Sequence, residues 1–287
     1  MACVINPNSL NNNLVKVSKT GDSQNITVPH IIAMKKRGDK IVALTAYDYL
    51  FATLLDQSAV DLILVGDSAS MVFAGQKTTL PYTMDEAVYH CKSVRRGVRR
   101  ALVVADMPFM SFQISPEETM KNAGRFFKEA EVDAVKMEGG ETLAPTIKKL
   151  VHSGMPVMGH LGLMPQSIRN LGGYSVQGKT DEHAQRLIKD AKAVEHAGAF
   201  CLVLEKIPHE LAKKVTAELS IPTIGIGAGP DCDGQILVTH DMLGLFEKFK
   251  PKFVRRYAEL AKEIRQAVST YSRDVKDNEF PNLEESF

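Results

Sequence analysis

Five short apolar stretches of this 287-residue chain end on side chains that can do chemistry. They read Leu64-Val65-Gly66-Asp67-Ser68, Val103-Val104-Ala105-Asp106, Val135-Lys136-Met137-Glu138, Met158-Gly159-His160 and Val203-Leu204-Glu205. Carried on parallel strands of one closed barrel, all five endings face a single cavity at the carboxyl rim, where such barrels place their active sites. Asp67, Asp106 and Glu138 end three successive stretches and offer only oxygen. That donor set suits Mg2+, a hard ion that takes a few carboxylates and keeps water or substrate oxygens in its other positions. The competing reading makes the three acids unrelated caps of the helices that follow.

Lys136 lies two residues before Glu138, so strand alternation turns both side chains the same way, into the lumen. A lysine there is costly unless acids or an anionic substrate face it, which makes it a partner for a substrate carboxylate or a developing enolate. A plain salt bridge to Glu138 is the simpler alternative. His160 and Glu205 end the fifth and sixth strands, across the lumen from the three acids, and are the acid-base candidates. A glutamate starts from a pKa of about 4.3, so service as a carbon base at neutral pH requires partial burial. His160 reads almost as readily as a structural histidine.

What positions these residues is a set of eight predicted strands, at 41–45, 62–65, 102–105, 134–137, 157–159, 200–204, 223–226 and 236–239. Helical spacing and start signals fill most of the intervals, the alternation that gives a parallel sheet through right-handed crossovers. The predicted fold class is therefore α/β, a (β/α)8 TIM barrel. Thr83-Met84-Asp85-Glu86 and Ser115-Pro116-Glu117-Glu118 read as capping boxes, and Asp48 and Thr180 as further N-caps. Gly154 and Gly198 fall where a helix end calls for left-handed backbone. Residues 29–37 are expected to form an N-terminal helix covering the barrel's lower end. Past the eighth strand, Phe253, Tyr257, Leu260, Ile264 and Val268 form one apolar stripe, predicted as a long C-terminal helix packed on the barrel or on a neighbouring subunit. Residues 1–25 read as a mobile tail and 277–287 as an extended one, with 26–287 a single barrel domain. Residues 161–179 hold four glycines and one proline, long for a connection, and are expected to form a lid or substrate-binding loop.

The totals exclude several functions. Thirty-five Lys and Arg against thirty-four Asp and Glu give a net charge of +1, without the footprint of a nucleic-acid or anionic-membrane partner. No apolar stretch approaches the ~20 residues of a bilayer span. The four cysteines, Cys3, Cys91, Cys201 and Cys232, show neither a CxxC pair nor zinc-site spacing. Cys201 is expected in the core, and free thiols point to a reducing, cytoplasmic compartment. Gly225-Ile226-Gly227-Ala228-Gly229-Pro230 lacks the third glycine of GxGxxG and reads as a tight turn. The arginines between Arg95 and Arg100 read as a solvated helix end and turn. Tyr47, Asp48, His240 and Asp241 either join the rim or cap helices. The expected ligand is a small molecule.

The strings LVGDS at 64–68, ADMPFMS at 105–111, VKMEGG at 135–140, GHLGLMPQS at 159–167, GGYSVQGKT at 172–180 and GIGAGPDCDGQILV at 225–238 together resemble the ketopantoate hydroxymethyltransferase family, from about Val28 onward. The resemblance implies a (β/α)8 fold, magnesium dependence, 5,10-methylenetetrahydrofolate as co-substrate and a decameric homo-oligomer. Carried over by position, Asp67, Asp106 and Glu138 resemble the family's metal acids. Asp67, Ser68, Asp106 and Lys136 resemble its contacts to the α-keto acid, Glu205 its proton acceptor and His160 its active-site histidine. Ala69-Ser70 departs from the leucine and glycine that more often follow GDS, which leaves the acids intact and alters the local loop. The implied reaction has Mg2+ chelate the carboxylate and keto oxygens of 3-methyl-2-oxobutanoate while Glu205 takes the C3 proton. The enolate carbon then adds to the folate's methylene unit, giving 2-dehydropantoate, a precursor in pantothenate biosynthesis, and tetrahydrofolate. The rival enzyme is a magnesium-dependent carbon-carbon lyase acting on a 2-oxo or 2-hydroxy acid without folate. The rival non-enzyme is an inactive barrel serving as a scaffold.

Overall fold

The structure, a computed structural model, describes residues 25–247 and 249–287. The expected N-terminal tail, Asn25 apart, lies outside the described residues, as does Cys3. Eight parallel strands, β1 (Ile41–Thr45), β2 (Leu62–Val65), β3 (Leu102–Asp106), β4 (Ala134–Glu138), β5 (Val157–Gly162), β6 (Cys201–Glu205), β7 (Thr223–Ile226) and β8 (Gly234–Leu237), close into a barrel in chain order. The (β/α)8 class follows the sequence expectation.

Alternation builds the lumen. Ile41 and Ala43, Leu62 and Leu64, Leu102 and Val104, and Cys201 and Val203 pack together with Ala134, Met158, Ile224 and Ile236 inside the barrel. The next inward step along four of these strands is Asp106, Lys136, His160 and Glu205, so the period that buries the aliphatic layers also delivers the polar groups to the carboxyl rim. At the opposite end α1 (Val28–Arg37) forms the expected cover, with Ile31 fully buried against the lumen residues. Lys35 of α1 ties it down, donating to the Thr216 carbonyl at 2.8 Å and to Asp233 at 3.0 Å.

The connections as far as β7 are filled by α2 (Tyr49–Gln57), α3 (Ala69–Val72), α4 (Met84–Gly97), α5 (Pro116–Ala130), α6 (Ala144–His152), α7 (Ile168–Leu171), α8 (Asp181–His196) and α9 (His209–Glu218). Thr83 and Glu86 form the expected capping box, while Ser115 caps α5 without the reciprocal glutamate bond. Asp48 accepts from the Phe51 N–H and Thr180 from the His183 N–H, as expected of N-caps. Gly154 and Gly198 have φ of 83° and 96°.

In the second half of the chain three sequence expectations are corrected, while the tight turn expected after β7 is present. β8 starts at Gly234 rather than at 236, because its membership is set by pairing to Ile41 and not by apolar content. Residues 227–233 cross from β7 to β8 with no helix, turning through left-handed Gly227 and Gly229. After a short α10 (Thr239–Met242), α11 (Leu260–Lys276) begins beyond Phe253 and Tyr257, and none of its residues is buried. It is therefore not buried against its own barrel, and a groove of about 560 Å3 bordered by Lys40, Val42, Gly234 and Phe253 lies beside β1 and β8. Residues 277–287 are folded rather than extended: Glu279 and Phe280 donate to the Asp274 carbonyl, and the Phe280 ring meets Tyr271 at 5.4 Å. Cys91, Cys201 and Cys232 are free and buried, and burial pushes the Cys201 thiol pKa up. No helix among the described residues is long and apolar enough to cross a membrane.

Candidate active site

Strand register assembles the site. β3 pairs with β4 so that Asp106 is the partner of Lys136, and β4 pairs with β5 so that Glu138 is the partner of His160. Lys136 Nζ lies 2.7 Å from Asp106 Oδ1, which makes Asp106 rather than Glu138 its ion-pair partner. His160 Nδ1 lies 3.3 Å from Glu138 Oε1 and its Nε2 lies 3.3 Å from Glu205 Oε2. The expected placement of His160 across the lumen from the acids is corrected by this register: the ring stands beside Glu138 and bridges it to Glu205.

Burial and the neighbouring charges set the protonation of these groups. Burial pushes the Asp67 carboxyl up, and the nearby Asp106 and Glu138 push it further, to about 8. Burial likewise raises Asp106 against the pull of Lys136. Glu138 goes the other way, since burial is outweighed by the His160 hydrogen bond and charge, by Lys136 and by the Gln166 N–H. Burial and Lys136 both disfavour charge on His160, yet its bonds to Glu138 and Glu205 hold the pKa up at about 9. The ring is then an imidazolium with a carboxylate oxygen at ion-pair distance from each nitrogen, and its 3.1 Å approach to Lys136 is a like-charge contact that Asp106 offsets. The acids around Lys136 keep its ammonium charged in spite of burial.

Asp67, two residues past the end of β2, donates its N–H to Asp106 Oδ2 at 3.2 Å. Ser68 Oγ is 2.8 Å from the hydroxyl of fully buried Tyr47, so Tyr47 joins the rim while Asp48 beside it is a cap. The His240 ring lies tilted against those of Tyr47 and Phe51, with centroids 5.4 Å apart in each pair. At the Ala69-Ser70 departure, Ser70 Oγ donates to the Thr78 carbonyl at 2.9 Å and closes the loop on itself.

The segment expected as a lid or binding loop continues β5 to Gly162, makes a 3-10 turn at Pro165–Ser167 and runs into α7. It drops Gln166 among the acids. The Gln166 backbone N–H donates to Glu138 Oε2 at 3.0 Å, and its side-chain Nε2 donates to Asp67 Oδ2 at 3.0 Å and to the Met107 carbonyl at 2.9 Å. Sequence reasoning missed this residue, although it lies inside the GHLGLMPQS string.

Asp106 Oδ1, Glu138 Oε1 and His160 Nε2 are buried yet accept or donate no aligned hydrogen bond; each has only an ion-pair contact, to Lys136 Nζ, His160 Nδ1 and Glu205 Oε2 respectively. Unsatisfied buried oxygens on Asp106 and Glu138, beside an Asp67 carboxyl that burial and these two neighbours push up to about 8, are a donor set that fits a hard divalent cation. Among the described residues no three His, Cys, Asp or Glu side chains stand gathered as a ready-made ligand cluster. Lys136 and Gln166 fill the places between the acids.

The sequence matches the ketopantoate hydroxymethyltransferase family over residues 25–283. It is 59% identical over 266 residues to a 3-methyl-2-oxobutanoate hydroxymethyltransferase of Chlorobaculum tepidum, covering 91% of this chain and 96% of that protein. A protein of the same name from Syntrophus aciditrophicus is 53% identical over 94% of this chain and all of its own length. Among solved structures, phosphonopyruvate hydrolase in complex with oxalate and Mg++ superimposes with a TM-score of 0.60 at 12% identity, covering 90% of this chain and 93% of that one. A 2,3-dimethylmalate lyase of the PEP mutase/isocitrate lyase superfamily gives 0.60 at 18% identity, covering 90% and 87%. These two likenesses show the barrel fold.

Proposed function

The chain belongs to the ketopantoate hydroxymethyltransferase family, and from that premise we propose that the rim of its barrel enolises 3-methyl-2-oxobutanoate and joins it to the one-carbon unit of 5,10-methylenetetrahydrofolate. The chain is a transferase, a 3-methyl-2-oxobutanoate hydroxymethyltransferase like the relatives that align along nearly its whole length. The observation that carries the mechanistic reading is the group of buried, unsatisfied polar atoms on Asp106, Glu138 and His160, set beside the Lys136 ammonium at one rim.

Asp67, Asp106 and Glu138 would hold Mg2+. When bound, the ion supplies Lewis-acid polarisation of the keto and carboxylate oxygens. Lys136, buried yet charged, gives the incoming carboxylate a fixed positive partner, and Ser68, held by Tyr47, supplies a hydroxyl at the same rim. Glu205 is the least buried of the rim acids, with 17% of its side chain exposed, and takes the C3 proton. His160 orients Glu205 through Nε2 and contacts substrate on the same side. The carbon nucleophile forms its new bond to the folate's methylene carbon and one water supplies the hydroxyl oxygen as the two bonds from that carbon to the folate nitrogens break; one proton from C3 and one from the water end on those nitrogens, and 2-dehydropantoate and tetrahydrofolate leave. Glu205→Gln is expected to bind magnesium and keto acid as the parent does while losing solvent-deuterium exchange at C3 by roughly 100- to 10,000-fold. Undiminished exchange would assign the base elsewhere.

The lyase reading has only the low-identity fold likeness behind it, and the sequence relatives favour transfer. We further place the chain in a homo-oligomer, decameric as the family resemblance implies. The support is α11, which presents Ile264, Val268, Tyr271 and Val275 to solvent. A cytoplasmic location is supported by the buried free thiols.

A further inference from the structure

Gln166 reaches the site from the loop after β5, outside the strands that carry the acids, and grips two of them with different atoms. Its backbone N–H donates to Glu138 Oε2 and its side-chain amide donates to Asp67 Oδ2, both at 3.0 Å. The second amide hydrogen goes to the Met107 carbonyl at 2.9 Å, and Gln113 Nε2 donates to the Gln166 Oε1 at 3.2 Å. Those two partners fix the amide's orientation, since a flipped group would set its oxygen against the Met107 carbonyl and its nitrogen against the Gln113 amide nitrogen. Gln166 is itself buried, at 5% exposure.

We propose that Gln166 is a positioning residue for the divalent cation, tying Asp67 and Glu138 into one rigid unit through one oxygen of each and leaving the other oxygen of each free of it. The proposal rests on the reading of these acids as metal ligands. A carboxylate with one oxygen tied by a fixed donor presents the other in a single direction, and removing such an outer partner typically costs about 10- to 100-fold in metal affinity. Gln113 acts one step further out, on the amide alone.

The test is magnesium titrated calorimetrically into the full-length protein without substrate. Gln166→Met keeps the size of the side chain and the backbone N–H while removing the amide. Its magnesium affinity is expected to fall by about 10- to 100-fold. The magnesium concentration for half-maximal rate should rise by the same factor while kcat at saturating magnesium stays near that of the parent, a split that a purely structural role would not produce. Gln113→Leu should weaken affinity in the same direction by less. A folded Gln166→Met protein that binds magnesium with parental affinity overturns the proposal. Should that variant fail to fold, unchanged affinity in Gln113→Leu overturns it. A parent protein that binds no magnesium overturns the metal reading, and the proposal with it.

Discussion

Asp67 sits where burial and two neighbouring carboxylates converge, and its carboxyl holds a proton up to about pH 8 against an ordinary value of 3.8. An acid whose pKa is raised by folding contributes stability that is present below its unfolded pKa and is lost as pH rises through the folded one. His160 adds to the same trend: raised from 6.5 to about 9, it stabilises the fold below its unfolded pKa and ceases to do so above 9. The metal-free protein is therefore expected to lose thermal stability between about pH 6.5 and pH 9. Magnesium, in replacing the protons, should raise the melting temperature more at the alkaline end of that window. Melts at both ends, with and without the ion, check this; a metal-free melting temperature that is flat or rising would contradict it. Asp106, Glu138, Lys136 and Glu205 were legible because each follows an apolar run of the right length and the period of two fixes its direction, whereas Asp67, past the end of β2 and out of step with inward Leu62 and Leu64, was legible only as a strand-end acid. Gln166 was not, since its partners Asp67 and Met107 lie 99 and 59 residues away and nothing in its neighbourhood marks it. Lys136 was legible as a buried cation, but the choice of Asp106 over Glu138 is made by β3–β4 register.

The element with the least explanation inside one chain is α11. Its apolar positions recur at helical spacing, yet Ile264, Val268, Tyr271 and Val275 are 42–57% exposed. The β7-to-β8 crossover lacks a helix, leaving beside it an outer groove bordered by Val42, Gly234 and Phe253. An apolar helical stripe and an uncovered wall on the same chain are what a subunit interface requires. Light scattering on the eluting protein should give a multimer, and Ile264→Glu with Val268→Glu should shift it to smaller species with unchanged far-ultraviolet dichroism. A monomeric parent, or a double variant of parental mass, would contradict the interface. Sequence spacing found this helix but not its start: Phe253 and Tyr257 continue the stripe numerically while lying in irregular chain, where Phe253 packs against Gly227. The start of β8 was likewise hidden, because Gly234 belongs to the strand through its close approach to the Ile41 backbone, which a side chain would block.

Across the whole molecule the barrel does two things with one pattern. Below, inward aliphatic residues fill the lumen and α1 closes it; above, the same alternation continues into charged groups that no aliphatic layer covers. Eight strands were readable from sequence, and the closing of β8 onto β1 makes neighbours of groups that the chain keeps scores of residues apart. The central claim is that this rim joins an enolised keto acid to a one-carbon unit. It is tested most directly by following 3-methyl-2-oxobutanoate and 5,10-methylenetetrahydrofolate by nuclear magnetic resonance with the purified protein, with and without magnesium. The expected result is stoichiometric 2-dehydropantoate and tetrahydrofolate only when magnesium and both substrates are present. Product formed without the folate, undiminished turnover after chelation, or a folded protein that yields no product at all would contradict it.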